Sequence, residues 1–232
     1  MRVFTHRRAK YASGLRSIDS VFSIGMKKHD NTTPRIIFES EDYVVIDKPA
    51  GLDSQNSKES RYSVVDWLKK EFKFPGLVHR LDLNTSGLMV CAKNEKTARY
   101  LSEKMVEGKI KRGYLAVVIG KIESKGGQIT TPLEEKNAVT HYTVLENYPN
   151  ATLVEVDLET GRKHQIRRHF SMEGHPLLGD HLYKKAGSHL LFKRPALHAH
   201  RLQIEEKKFE TLLPEDFLIL VTRLRGLKSK NL

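Results

Sequence analysis

Past Gly108 the chain carries four apolar runs of strand length, Tyr114–Ile119, His141–Leu145, Ala151–Leu158 and Leu197–Ile204, each with some alternation. Runs of β-branched and aromatic residues this closely spaced demand a sheet, and hairpin-like succession makes it mostly antiparallel. Two further strands are expected earlier. Ile36–Phe38 and Tyr43–Ile46 flank the polar turn Glu39–Asp42, and Lys48-Pro49-Ala50-Gly51 stops the second, because proline cannot donate to a ladder. Helices are few. Ser63 caps one that opens with Val64-Val65-Asp66-Trp67-Leu68. Asn94 opens another, with Ala98, Leu101 and Met105 on one side and Gly108 ending it. The last has Pro214 in its first turn, Glu215 and Asp216 at its positive end, and Arg223 and Arg225 at its negative end. The expectation is one α+β domain over residues 35–232.

With 232 residues, such a domain can bury a real core despite a hydrophobic content of 39%. A formal charge of +12 favours a polyanionic partner, nucleic acid above all, against the plainer reading of a merely basic protein. One cysteine, Cys91, excludes an intrachain disulfide, fits a reducing compartment, and reads as a small core residue. The longest apolar stretch, Phe217–Val221, is far short of the ~20 residues that span a bilayer. Residues 1–34 lack periodicity and end in a turn-rich linker. Their first 25 set Arg2, Arg7, Arg8, Lys10 and Arg16 against Asp19. That segment reads as a flexible extension, a transit peptide, an RNA-binding arm, or sequence ahead of a true start at Met26.

Two segments carry chemistry. In Val78-His79-Arg80-Leu81-Asp82, extended backbone puts Arg80 and Asp82 on one face and turns Leu81 inward. A simple Arg80–Asp82 ion pair is the structural alternative. Between Thr160 and His169, Gly161 precedes Arg162, Lys163 and His164, then Ile166, Arg167 and Phe170, which reads as a turn into a helix. Cations in a first helical turn oppose the macrodipole; phosphate binding there would account for them, and a solvated basic face is the alternative. The 11 histidines lack the spacing of a zinc helix, so no metal is expected at His164, His169, His198 or His200.

Several blocks, in order, resemble the RluA-type pseudouridine synthase family. They are Asp47-Lys48-Pro49-Ala50-Gly51-Leu52; His79-Arg80-Leu81-Asp82 with Thr85-Ser86-Gly87-Leu88; Tyr114-Leu115-Ala116; and Glu159-Thr160-Gly161-Arg162-Lys163-His164-Gln165-Ile166-Arg167. Gly174-His175-Pro176-Leu177-Leu178-Gly179-Asp180 and Leu197-His198-Ala199 extend the likeness. The resemblance implies isomerisation of uridine to pseudouridine in structured RNA, transfer or ribosomal, without cofactor or metal. It also implies the family fold, a long curved mixed sheet with packed helices and a central cleft. By that likeness Asp82 is the catalytic aspartate, Tyr114 lies against the target base, Arg167 pairs with the aspartate, and Arg80 helps displace the nucleotide. His79, Lys48, Arg162, Lys163, His164, Gln165 and Ile166 are the expected RNA-binding set, with Lys48 equally readable as a turn cap. Lys163 and Arg168 depart from the family's threonine and valine, and Asp53-Ser54 is unusual; both departures are expected to bear on RNA choice. Residues 1–34 are too few for the family's helical RNA-binding module. A monomer in the cytoplasm is expected, or in an organelle matrix if the leader is a transit peptide, with no obligatory protein partner.

These residue types suit the chemistry. A carboxylate near the ribose serves as nucleophile or base, and a neighbouring guanidinium favours its charged form. Tyr114 supplies a stacking face, a hydroxyl and a screen against water, without which the bond would hydrolyse. The competing classes are a non-catalytic RNA-binding or folding factor and a glycoside hydrolase, which needs two carboxylates flanking the bond.

Overall fold

The computed structural model describes residues 32–57, 62–183 and 192–229. The basic leader through residue 31 and the start at Met26 lie outside the described residues. The elements are β1 (Arg35–Glu39), β2 (Tyr43–Lys48), α1 (Val64–Glu71), β3 (Gly76–Leu77), β4 (Ser86–Ala92), α2 (Glu95–Val106) and β5 (Ile110–Ile119). They continue with β6 (Gly126–Ile129), β7 (Thr140–Tyr148), β8 (Ala151–Leu158), α3 (Gln165–Met172), β9 (Leu197–Ile204), β10 (Lys207–Glu210) and α4 (Glu215–Ser229).

The strands form one mixed sheet in the order β1-β2-β4-β9-β5-β8-β7-β6, with β10 beside β9 and β3 beside β4. All its described ladders are antiparallel except β4 with β9, which pair parallel through Ser86↔His198 and Gly87↔Ala199. That seam joins two halves of the sheet, and Gly87 makes it possible. Its φ is +116°, and a Cβ there would stand 2.2 Å from the Ala199 carbonyl oxygen. The residue that closes the seam therefore lies five positions past Asp82.

Both faces of the central strands are covered. Tyr114, Ala116 and Val118 of β5 join Val154, Val156, Ile166 and Phe170 on one face, while Leu115 and Val117 meet Phe217 and Val221 of α4 on the other. Beyond the seam, Val45, Leu88, Val90 and Leu202 pack under Leu101 of α2. Two-sided burial explains why β4 escapes a search for alternation: all seven of its residues are buried, so it reads as a continuous apolar run.

The expected helix starts hold locally. Ser63 and Asp66 form a reciprocal capping box at α1, and the Asn94 side chain accepts from Thr97 N–H at α2. Two details differ. Pro214 stands just ahead of α4, its carbonyl accepting from Leu218 N–H at 3.0 Å, so it caps the helix instead of occupying its first turn. Arg162 and Lys163 precede α3, which begins at Gln165, so they lie in the entering turn.

Candidate active site

A cleft of about 750 Å³ opens over the seam, lined among others by Arg80, Asp82, Arg112, Tyr114, Lys163, His164, Ile166 and Arg167. Asp82 comes from the loop between β3 and β4, Tyr114 from β5 and Arg167 from α3. Residues 85 positions apart in sequence meet there: Arg167 Nη1 lies 3.4 Å from Asp82 Oδ2. As extended backbone requires, Leu81 is buried, while Asp82 keeps 29% of its side-chain surface open.

Interior hydrogen bonds fix the Asp82 loop at successive residues. Ser54 Oγ donates to the Leu81 carbonyl at 2.7 Å and accepts from Leu81 N–H at 3.0 Å. Lys48 Nζ donates to the Leu83 carbonyl at 3.1 Å, and to those of Pro49 and Leu52 at 2.9 and 2.8 Å. Arg194 Nη1 donates to the Asn84 carbonyl at 3.2 Å while its Nε and Nη2 hold Asp216 at 2.7 and 2.9 Å. Thr85 N–H closes the turn on the Asp82 carbonyl at 3.0 Å. A loop anchored this way presents its carboxylate with little freedom left to lose on binding.

Arg167 is itself held from behind. Its Nε and Nη2 donate to Asp180 Oδ2 and Oδ1 at 2.6 and 2.9 Å, leaving Nη1 for Asp82. The Asp180 side chain has no exposed surface. Burial works to raise its carboxyl pKa, but the Arg167 fork and the amides of Leu182 and Tyr183 outweigh it, so the net shift is downward. The guanidinium also lies 5.1 Å from the Tyr183 ring centre. On the other side, His164 Nε2 stands 3.8 Å from Asp82 Oδ1, its Nδ1 hydrogen-bonded with Tyr183 OH at 2.9 Å. His164 adopts left-handed backbone, φ 52°, which turns its ring out of the helix start toward the cleft. Burial first, then the Arg167 and Lys163 charges, push its pKa down against the pull of Asp82. Tyr114 is 5% exposed and lines the same cleft, its hydroxyl pKa raised by burial and, more weakly, by Asp82.

Four members of the expected RNA-binding set are placed otherwise. Lys48 has no exposed surface and its ammonium is spent on carbonyls; it caps the turn and holds the Asp82 loop. Burial and then the Arg194 charge push its pKa down to about 7. His79 accepts Val90 N–H on Nε2 at 3.1 Å, and burial, reinforced by Arg112, pushes its imidazole down to about 3; it brings no charge for phosphate. Gln165 is buried, bonding Val139 and Thr140 through its amide nitrogen and Thr160 and Arg162 through its oxygen; it braces the basic turn. Ile166 is 3% exposed and belongs to the core under the cleft. Burial decides Lys48, Gln165 and Ile166, and the bond from Val90 N–H to a partly buried ring decides His79; one-dimensional spacing carries no sign of either.

Arg80 is exposed at the cleft without an ion pair to Asp82, and Lys163 is exposed there too. Arg162 is exposed, with Nε on the Asn137 carbonyl at 3.0 Å. Ser54, expected to bear on RNA choice, is instead a buried support of the loop. Arg168 pairs with Glu134 on the surface of α3 at 2.8 Å. Sequence reasoning assigned no role to Asp180, Arg112, Tyr183 or Arg194. Asp180 lies in a block already singled out, where an acid closing an apolar run was the available signal. Among the described residues, no group of three or more His, Cys, Asp or Glu side chains is placed to hold a metal ion.

A buried acid fixing an arginine, which contacts a partly open aspartate in a cleft lined by Tyr114 and several cations, is an arrangement suited to catalysis on an anionic substrate. Comparison with known proteins narrows the class. The family model described as RNA pseudouridylate synthase matches residues 42–172. The chain is 38% identical to ribosomal large subunit pseudouridine synthase D of Pseudomonas aeruginosa over 231 positions, covering 82% of this chain and 71% of that protein. It is 34% identical to the protein of that name from Nitrosomonas europaea, covering 85% and 67% respectively. Among solved structures, human RNA pseudouridylate synthase domain containing 4 superposes with a TM-score of 0.68 at 25% identity, over 82% of this chain and 92% of that one. The chain therefore belongs to the RNA pseudouridylate synthases, in their RluA-type branch, and is an RNA pseudouridine synthase. No helix among the described residues is long and apolar enough to cross a membrane.

Proposed function

We propose that this protein isomerises selected uridines of ribosomal large-subunit RNA, working as a monomer in the cytoplasm, with Asp82, Tyr114 and Arg167 as its catalytic residues. The observation that carries the reading is the Asp82 carboxylate, partly open to the cleft and pinned between Arg167 and His164. The relatives' printed names support the choice of ribosomal over transfer RNA.

The reaction breaks the N1–C1′ bond, turns the uracil, and forms a C5–C1′ bond; the proton on C5 leaves and N1 gains one. Asp82 acts at the ribose, as nucleophile at C1′ or as base toward a ribose proton. Arg167 holds the carboxylate in place and balances its charge. Tyr114 gives the freed uracil a face to turn against and keeps water from C1′. Arg80, unpaired and exposed at the rim, stacks where the flipped nucleotide leaves its helix, an extrusion that costs a few kcal/mol.

A hydrolytic alternative has one feature in its favour, a second carboxylate lining the cleft, Glu159, which is 58% exposed and bonded to His141 at 3.1 Å. Asp180 cannot serve, being wholly buried with both oxygens on Arg167. The test is a pseudouridine map of ribosomal RNA incubated with wild-type protein and with Asp82→Asn. A defined pseudouridine that disappears with the variant supports the reading. Release of free uracil, or a map indifferent to the substitution, overturns it.

A further inference from the structure

We infer that Arg112 is an anion clamp of this site, a cleft cation that binds a backbone phosphate of the flipped uridine; this rests on the functional reading above. The cleft's buried guanidinium, Arg167, is neutralised by Asp82 and Asp180. Arg112 lines the same cleft, yet its Nε is buried with no hydrogen-bond partner, and it enters no ion pair among the described residues. An arginine held against protein without an acceptor is costly unless a ligand supplies one, and the planar fork suits phosphate.

Its position agrees. Arg112 is two residues before Tyr114 on β5, so the side chains share a face, ~6.6 Å apart along the strand. That spacing is comparable with the reach from a nucleobase to the phosphate of its own nucleotide. With the base against Tyr114 and the ribose at Asp82, a phosphate falls to Arg112. The opposite wall is shaped to admit the guanidinium: a Cβ on Gly161 would stand 2.8 Å from Arg112 Nη1. A side chain at that point would push the end of the Arg112 guanidinium aside without straining the backbone. The Arg112 charge also bears on His79 and Tyr114, its neighbours across the cleft floor.

The experiment uses the full chain and the RNA in which wild-type protein forms pseudouridine. Arg112→Gln should raise KM on the order of tenfold or more, with a smaller effect on kcat, and should lower the slope of log affinity against log salt by about one. Arg112→Lys should restore the slope. Gly161→Ala, which displaces the guanidinium without removing its charge, should raise KM at unchanged melting temperature; it gives the answer if Arg112→Gln folds poorly. A KM and a salt slope unaltered in both Arg112→Gln and Gly161→Ala would overturn the assignment of Arg112 alone. Absence of pseudouridine with wild-type protein would overturn the functional reading, and this inference with it.

Discussion

Replacing Asp180 by Asn tests whether a buried acid that never touches substrate keeps the site in order. Asp180 has no exposed side-chain surface and binds Arg167 through both oxygens, at 2.6 and 2.9 Å. Removing one partner of a buried pair typically costs 3–5 kcal/mol, because the other charge is stranded. Asn keeps the volume, one oxygen for Arg167, and the bonds from Leu182 and Tyr183 N–H, so about 3 kcal/mol is expected. For a chain of this size that is a melting temperature lower by roughly 6–12 °C. Arg167 would then lean on Asp82, its remaining acid 3.4 Å away, and shift by a fraction of an ångström. A full ~1 Å of misplacement can cost about 100-fold in turnover, so a loss of up to about that size is expected. The control is Asp216→Asn, which breaks a fork of nearly the same lengths, 2.7 and 2.9 Å, on Arg194. Because Asp216 is 48% exposed, water can take its place at Arg194, which also keeps three carbonyl acceptors on Nη1, so its loss should cost less than that of Asp180. Thermal scans of the three proteins, with pseudouridine counted per RNA, decide the matter. Equal shifts for the two variants, or Asp180→Asn melting within about 2 °C of wild type at full activity, would refute the argument from burial.

Other outcomes follow from the same geometry. Ser54→Ala removes both bonds to Leu81, so stability should fall by about 1–3 kcal/mol and kcat more than RNA affinity, measured by denaturant melts and single-turnover kinetics. Gly87→Ala puts a Cβ 2.2 Å from the Ala199 carbonyl at φ +116°; it should cost more than about 4 kcal/mol and show as loss of soluble folded protein. His79 has a folded pKa of about 3 against an ordinary 6.5, so its neutral form stabilises fully above pH 6.5. That contribution drains away on acidification toward pH 3, by about 1.4 kcal/mol per pH unit, as the unfolded chain takes the proton. His79→Gln, which keeps an acceptor for Val90 N–H, should flatten stability against pH by that amount over the window.

Residue pattern alone determined the local elements whose causes are local. The helix caps at Ser63 and Asn94 and the strands whose faces differ were legible, because capping and alternation act within a few residues. Only the family likeness joined Asp82, Tyr114 and Arg167 in the sequence, and it is the fold that brings Asp82 and Arg167, 85 positions apart, to 3.4 Å. Tertiary structure decided the fate of the polar side chains. Lys48 reads on paper equally as a phosphate contact or a turn cap, and Gln165 like any cleft amide; the Leu83 carbonyl for one and the Val139 carbonyl and Thr140 hydroxyl for the other, all from distant segments, turned both inward. Asp180 acquired its part by meeting a guanidinium in the interior, and Arg112 is set apart by meeting no acid among the described residues. Burial and pairing are properties of three-dimensional neighbourhoods, and a buried polar group answers to its neighbours before its own chemistry is free to act.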